Sequence, residues 1–152
     1  MSYKYYWEDF YPGQVRETGG YSLTEEEIME FGKKYDPQPF HTDKLKAKES
    51  VFGGLIASGW QTASTAMRML CELYLLDAAS LGSPGVDELR WVKPVRPGDT
   101  LRLKSTVLET RASTSRPDMG TVRSRSEVYN QNGELVMHMS GVGMFRRRSP
   151  GE

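Results

Sequence analysis

The chain has 152 residues, with 20 Lys plus Arg balanced by 20 Asp plus Glu, 38% hydrophobic residues and a single cysteine. That length suits one domain able to bury its own core, and the balanced charge gives no electrostatic ground for binding nucleic acid or an anionic membrane surface. A lone Cys71 excludes a disulfide framework or a multi-cysteine metal site, and no apolar run reaches the roughly 18 residues that a membrane span needs.

The stretch from Met1 to Phe10 is aromatic and acidic, without the apolar segment of a secretory signal. The expectation is a cytoplasmic enzyme or binding domain. Pro12-Gly13 marks a turn, and a short strand follows over Val15 to Tyr21. Thr24-Glu25-Glu26-Glu27 has the form of a capping box: the Thr24 hydroxyl accepts from the Glu27 amide while Glu27 reaches back. Ile28 and Phe31 continue a short amphipathic helix to about Tyr35. Pro37 and Pro39 end it, because each confines the residue before it to extended geometry. Asp36 to Gly54 then reads as a long connection with one helical turn at Leu45 to Glu49, and long ordered connections in compact domains are often functional.

From Gly59 the pattern is helical. Ala63, Ala66, Met67, Leu70, Leu73, Tyr74 and Asp77 recur at three- and four-residue spacing, and no Pro or Gly interrupts from Trp60 to Leu81. A helix of roughly 20 residues, about 30 Å long, is predicted, closed by Gly82, Pro84 and Gly85. Four strands follow. Leu89 and Trp91 alternate with polar neighbours, Leu101, Leu103 and Val107 form one buried face, and Thr121 to Tyr129 is the third strand. Asn132-Gly133 signals a two-residue hairpin turn into Glu134 to Phe145. Arg111 to Gly120 reads as a loop, and the tail from about 146 as flexible. Strands joined by short turns favour an antiparallel sheet, so the chain reads as a single α+β domain over 1–152, the sheet curling around one long helix.

Only two histidines are present. His41 lies in Asp36-Pro37-Gln38-Pro39-Phe40-His41, where two prolines hold an acid and an imidazole in fixed relation; such a pair can position and deprotonate water near pH 7. The same spacing also suits an Asp that caps a turn and a His tucked under a loop. His138 sits in a strand-like run and reads as structural. In Phe52-Gly53-Gly54-Leu55-Ile56-Ala57-Ser58-Gly59-Trp60 the glycines permit close backbone approach, and Gly59 falls at the helix start, where unpaired amides carry partial positive charge. Those amides could hold a developing oxyanion, a role in which one donor is worth about 3 kcal/mol; plain packing also uses glycines at helix starts.

Three segments together resemble the MaoC-like dehydratases, the hot-dog-fold group that includes the (R)-specific enoyl-CoA hydratases. They are Asp36 to His41, Ile56 to Ser64, and Leu89-Arg90-Trp91-Val92-Lys93-Pro94-Val95-Arg96-Pro97-Gly98-Asp99. The resemblance implies a hot-dog domain that adds water to, or removes it from, a trans-2-enoyl thioester, with acyl-CoA as substrate and no further cofactor or metal. Asp36 and His41 match the family's water-activating acid and histidine. Gly59 matches the amide donor to the thioester oxygen, with Ser58 beside it as an oxyanion or substrate-binding candidate. Trp60 and Met67 are candidates for the acyl pocket. Gln38 stands where the family has asparagine, Phe40 where it has a small aliphatic residue, and Ser58 where many members have histidine. The resemblance also implies a homodimer paired sheet edge to sheet edge. A non-catalytic acyl-thioester-binding or partner subunit is the alternative. Thioester hydrolysis is disfavoured because Glu72 and Asp77 lie too far along the helix from Gly59.

Overall fold

A computed structural model describes residues 2–148. A curved antiparallel sheet wraps one central helix, as expected. The strands are β1 (Val15–Ser22), β2 (Ser80–Gly82), β3 (Val86–Trp91), β4 (Thr100–Ala112), β5 (Met119–Tyr129) and β6 (Leu135–Arg146); the helices are α1 (Glu25–Tyr35), α2 (Pro39–Thr42), α3 (Lys44–Glu49) and α4 (Gly59–Leu73). The sheet order is β1-β4-β5-β6-β2, and β3 also pairs with β6. β6 is long enough for both: β3 lies along residues 137–141 and β2 against Met144 and Phe145.

The core follows the two periodicities. Along β4, Leu101, Leu103, Ser105 and Val107 point inward, while Arg102 and Lys104 point out. They meet Ala66, Met69 and Leu70 of α4, together with Val122, Val128 and Met137. The buried helix face is rotated from the predicted one. Met69 is 2% exposed, whereas Met67 is 47% exposed. The capping box forms as read: the Thr24 hydroxyl accepts from the Glu27 amide at 3.1 Å, and Glu27 accepts from the Thr24 amide at 3.2 Å.

Further expectations are corrected. The central helix stops at Leu73, not Leu81. Tyr74 leaves helical geometry at φ −158°, and its ring docks edge-on to Phe10, which in turn lies 4.6 Å from Phe145. The backbone beyond finds better partners than a helix offers: the Ala79 amide donates to Tyr5, the Arg146 amide donates to Ala79, and Ser80–Gly82 forms a fifth strand after the helix. The apolar spacing to Leu81 therefore covers an α-helix, a 3-10 turn at Leu75–Asp77 and a short strand, which periodicity alone does not separate.

The β5–β6 hairpin is wider than a two-residue turn, because Tyr129 pairs with Leu135 and leaves 130–134 in the loop. The Asn130 side chain accepts from the Asn132 and Glu134 amides, making the turn through its own amide group, and Gly133 supplies the positive φ of 73°. The long connection holds two short helices rather than one turn, and the loop before β5 shrinks to 113–118 as β4 and β5 extend into it. Where the predicted tail begins, the Arg147 amide donates to the Asp118 carbonyl, and Arg148 bonds Glu8 and Asp9. Residues 149–152 of the predicted tail lie outside the described residues. Among the described residues no helix is long and apolar enough to cross a membrane.

The rotated helix face has a direct check. Met69→Ala should cost about 2–5 kcal/mol in urea unfolding, whereas Met67→Ala should cost less than about 1 kcal/mol. Equal losses would place both side chains in the core.

Candidate active site

The site grows from the end of α1. The Asp36 amide donates to the Gly32 carbonyl at 2.8 Å as the helix closes, and Pro37 forbids another turn. Pro39, with its fixed φ, then starts α2, a single turn in which the His41 amide donates to the Gln38 carbonyl at 2.9 Å. This brings His41 back beside Asp36, with Nε2 3.1 Å from Oδ2. The approach is close enough to require Gly32, since a Cβ there would lie 2.9 Å from both the Cβ and the carbonyl oxygen of His41.

His41 is 4% exposed and tied to the start of α4. The Ile56 amide donates to the Phe40 carbonyl at 3.0 Å, and His41 Nδ1 lies 2.8 Å from the Ile56 carbonyl. A carbonyl only accepts, so Nδ1 carries a proton and Nε2 is the nitrogen turned toward Asp36. The Phe40 ring stands edge-on to the imidazole at 4.6 Å.

Each oxygen of Asp36 is held. Gln38 Nε2 donates to Oδ1 and the Ser58 hydroxyl to Oδ2, both at 2.7 Å. Partial burial pushes the carboxyl up, but these donors and the charge of His41 outweigh it and hold Asp36 below the ordinary carboxylate value.

Ser58 also caps α4. Its hydroxyl accepts from the Trp60 amide at 3.3 Å, and its carbonyl accepts from Gln61 and Thr62. Among the described residues the Gly59 N–H has no acceptor. Gly59 faces a cavity of about 500 Å³ that Asp36, His41, Phe52, Trp60 and Trp91 also line. Trp91 lies flat enough against the backbone here that a Cβ on Gly59 would fall inside its indole. Trp60 meets Trp91 edge-to-face at 5.1 Å, and both rings stand at the mouth, 59% and 45% exposed.

Asp36, His41, Gly59 and Trp60 thus share one cavity. Ser58 does not open into it: it is fully buried, its hydroxyl spent on Asp36 rather than left for a substrate oxygen. Nor does that geometry make Ser58 a nucleophile, since it donates to the acid and not to the histidine. Met67 lies apart from Trp60, in a second groove of about 310 Å³ with Leu70, Tyr74, Met139 and Phe145. His138 sits on β6 between Arg90 and Glu127, outside the cavity lining. Lys44 pairs with Glu25 at 2.6 Å, and Lys93, at the cavity wall, pairs with Glu134. On α4, Glu72 pairs with Arg68 on the exposed face, away from Gly59. Among the described residues no three His, Cys, Asp or Glu side chains gather as a metal ion would need.

Sequence reasoning passed over Gly32, Trp91 and the Ile56 carbonyl as parts of the site. Gly32 and Trp91 act through contacts distant along the chain, for which no local pattern exists. Gln38 was visible only as a departure from the family motif; here its longer amide reaches Asp36.

A family model described as "MaoC like domain" matches residues 9–130. The crystal structure of the MaoC-like dehydratase from Rhodospirillum rubrum superposes with a TM-score of 0.88 at 39% identity, covering 95% of this chain and 99% of that one. The YdeM protein of Bacillus subtilis (strain 168) is 30% identical over 124 residues, 82% of this chain and 86% of its own. Mesaconyl-CoA hydratase of Cereibacter sphaeroides is 44% identical over 64 residues, 42% of this chain but only 18% of that protein. The match over most of its length and the shared architecture establish that this chain belongs to the MaoC-like dehydratase family and has its hot-dog fold.

Proposed function

We propose that the chain is a hydratase or dehydratase acting on a trans-2-enoyl thioester, an acyl-CoA, through Asp36, His41 and the Gly59 amide. The observation that carries this reading is the convergence of the three on one cavity, with the amide unpaired among the described residues. The name of mesaconyl-CoA hydratase, which shares part of the chain, agrees with the reaction class.

In this reading Asp36 orients a water molecule and His41 Nε2 takes its proton as the oxygen attacks C3. Electron density moves through the breaking C2–C3 π bond onto the thioester oxygen, which receives the Gly59 N–H. One such donor is worth roughly 3 kcal/mol at the transition state. The proton then passes from His41 to C2 as the thioester C=O re-forms, so the C3–O and C2–H bonds lie on the same face, as syn addition. The reverse sequence is dehydration. Trp60 and Trp91 stand where the acyl group enters and limit its bulk. Met67 would meet only an acyl chain that runs on along α4 into the second groove.

A dimer belongs to the same reading. β3 pairs with β6 on one side, while Val86, Trp91 and Val92 are exposed. A second copy meeting that edge would cover apolar surface and border the cavity that Trp91 and Val92 line.

Three measurements test these statements. Purified chain should consume the conjugated absorbance of a trans-2-enoyl-CoA, and His41→Ala or Asp36→Asn should each slow turnover about a hundredfold or more. Turnover unchanged in both variants removes them from the mechanism; binding of CoA esters without turnover across chain lengths favours a binding subunit instead.

The carboxyl of Asp36 also gives a pH signature. Because its native value lies below the unfolded one, its stabilising contacts are complete above the ordinary value of about 4 and are lost as pH falls through the native value. Thermal melts should therefore fall less steeply below about pH 4 in Asp36→Asn than in the parent. Parallel profiles would show the carboxylate to be uncoupled from folding. Sedimentation equilibrium should give twice the 17.2 kDa chain mass; a fully active monomer would detach assembly from function.

A further inference from the structure

We propose that Ser58 is a positioning residue that fixes the spacing between the water-holding acid and the oxyanion amide. The proposal rests on the hydratase reading above and assigns Ser58 a role other than contact with substrate. Its side chain and its backbone face the two halves of the site. The hydroxyl proton goes to Asp36 Oδ2 at 2.7 Å. Its carbonyl carbon shares a peptide plane with the Gly59 N–H, so any rotation of that plane turns the amide.

Ser58 also decides which amide stays free. The Trp60 amide is taken by its hydroxyl, and the Gln61 and Thr62 amides by its carbonyl at 2.9 and 3.1 Å. That leaves Gly59. The hydroxyl thus donates once and accepts once, which leaves a fully buried side chain no proton to give to a substrate oxygen.

The electrostatic surroundings give this bond leverage over Asp36. His41 of α2 faces Oδ2 at 3.1 Å, and Gln38 occupies Oδ1. The first turn of α4, residues 59–62, carries no charged side chain. On the β3–β4 side Lys93 lines the cavity but is paired with Glu134. Lys33 and Lys34 end α1 as exposed side chains. The neutral Ser58 and Gln38 donors therefore anchor the carboxylate in one rotamer and, with the charge of His41, favour its charged form. With both oxygens so held, Asp36 orients water and the proton transfer falls to His41.

Ser58→Gly separates the roles, because glycine is nearly as good an N-cap residue and leaves the helix start close to its parent stability. In a carboxyl-¹³C titration of Asp-labelled protein, the Asp36 midpoint should move up in Ser58→Gly relative to the parent. With a trans-2-enoyl-CoA as substrate, kcat should fall at least about tenfold while KM changes by less than about threefold. Ser58→Thr, which keeps the hydroxyl, should return both the titration and kcat toward the parent. An unmoved Asp36 midpoint, or a lowered kcat that Ser58→Thr does not return toward the parent, overturns the proposal. If the parent turns over no enoyl-CoA, the hydratase reading fails by itself, while the titration still decides whether Ser58 governs Asp36.

Discussion

The site depends on the double link between residues 40–41 and Ile56. One backbone bond joins the Ile56 amide to Phe40, and one side-chain bond joins His41 Nδ1 to the Ile56 carbonyl. Between them lies a connection that must be closed at a cost that grows only with the logarithm of its length. The link repays that closure twice. It orders a surface segment, and it brings a prolyl-stiffened turn to the first residue of the central helix. Without it, Asp36 and His41 would be a turn at the end of α1, and Gly59 would be a helix terminus with nothing opposite.

Chemistry and packing are divided along α4 in a simple way. The side chains of Ala66, Met69 and Leu70 fill the sheet's concave face, so the helix is held by its middle. Its first turn is capped by Ser58, tied to α1 by the Gln61 side-chain amide, which donates to the Glu27 carbonyl, and packed against Trp91. A helix anchored at its centre presents a rigid first amide, and rigidity is what an oxyanion donor contributes, since it does not have to reorganise as charge develops.

Much of this was legible in the residues. Thr24 and Glu27 named the start of α1, the prolines named its end, and β4 declared its inner face through Leu101, Leu103 and Val107. The Asp36–His41 spacing and Gly59 were recognisable from the family motif, and the fold brings them to one cavity. What escaped had a common cause. Leu75 to Leu81 keeps helical spacing, but its backbone is claimed by Tyr5 and β6, partners far away in sequence. The helix face was misjudged by a rotation that exchanges Met67 for Met69, because two apolar residues two apart cannot both define one stripe. Asn132-Gly133 pointed to a tight turn, but Asn130 competes for the same amides with its side chain. Ser58 looked like a group for substrate because sequence does not reveal which way a buried hydroxyl is turned.

The glycine at position 32 shows what the arrangement asks of the rest of the fold. It lies inside α1, where glycine is about 1 kcal/mol poorer than alanine at sustaining a helix. Alanine would serve α1 better but would press on His41. Selection for thermal robustness and selection for a compact acid–imidazole pair thus pull this position in opposite directions. The residue present is the one that favours proximity, so α1 is kept in place less by its own propensity than by its cap and by the burial of Ile28. A scaffold of this kind can be made sturdier almost anywhere along that helix except at the turn that faces the histidine.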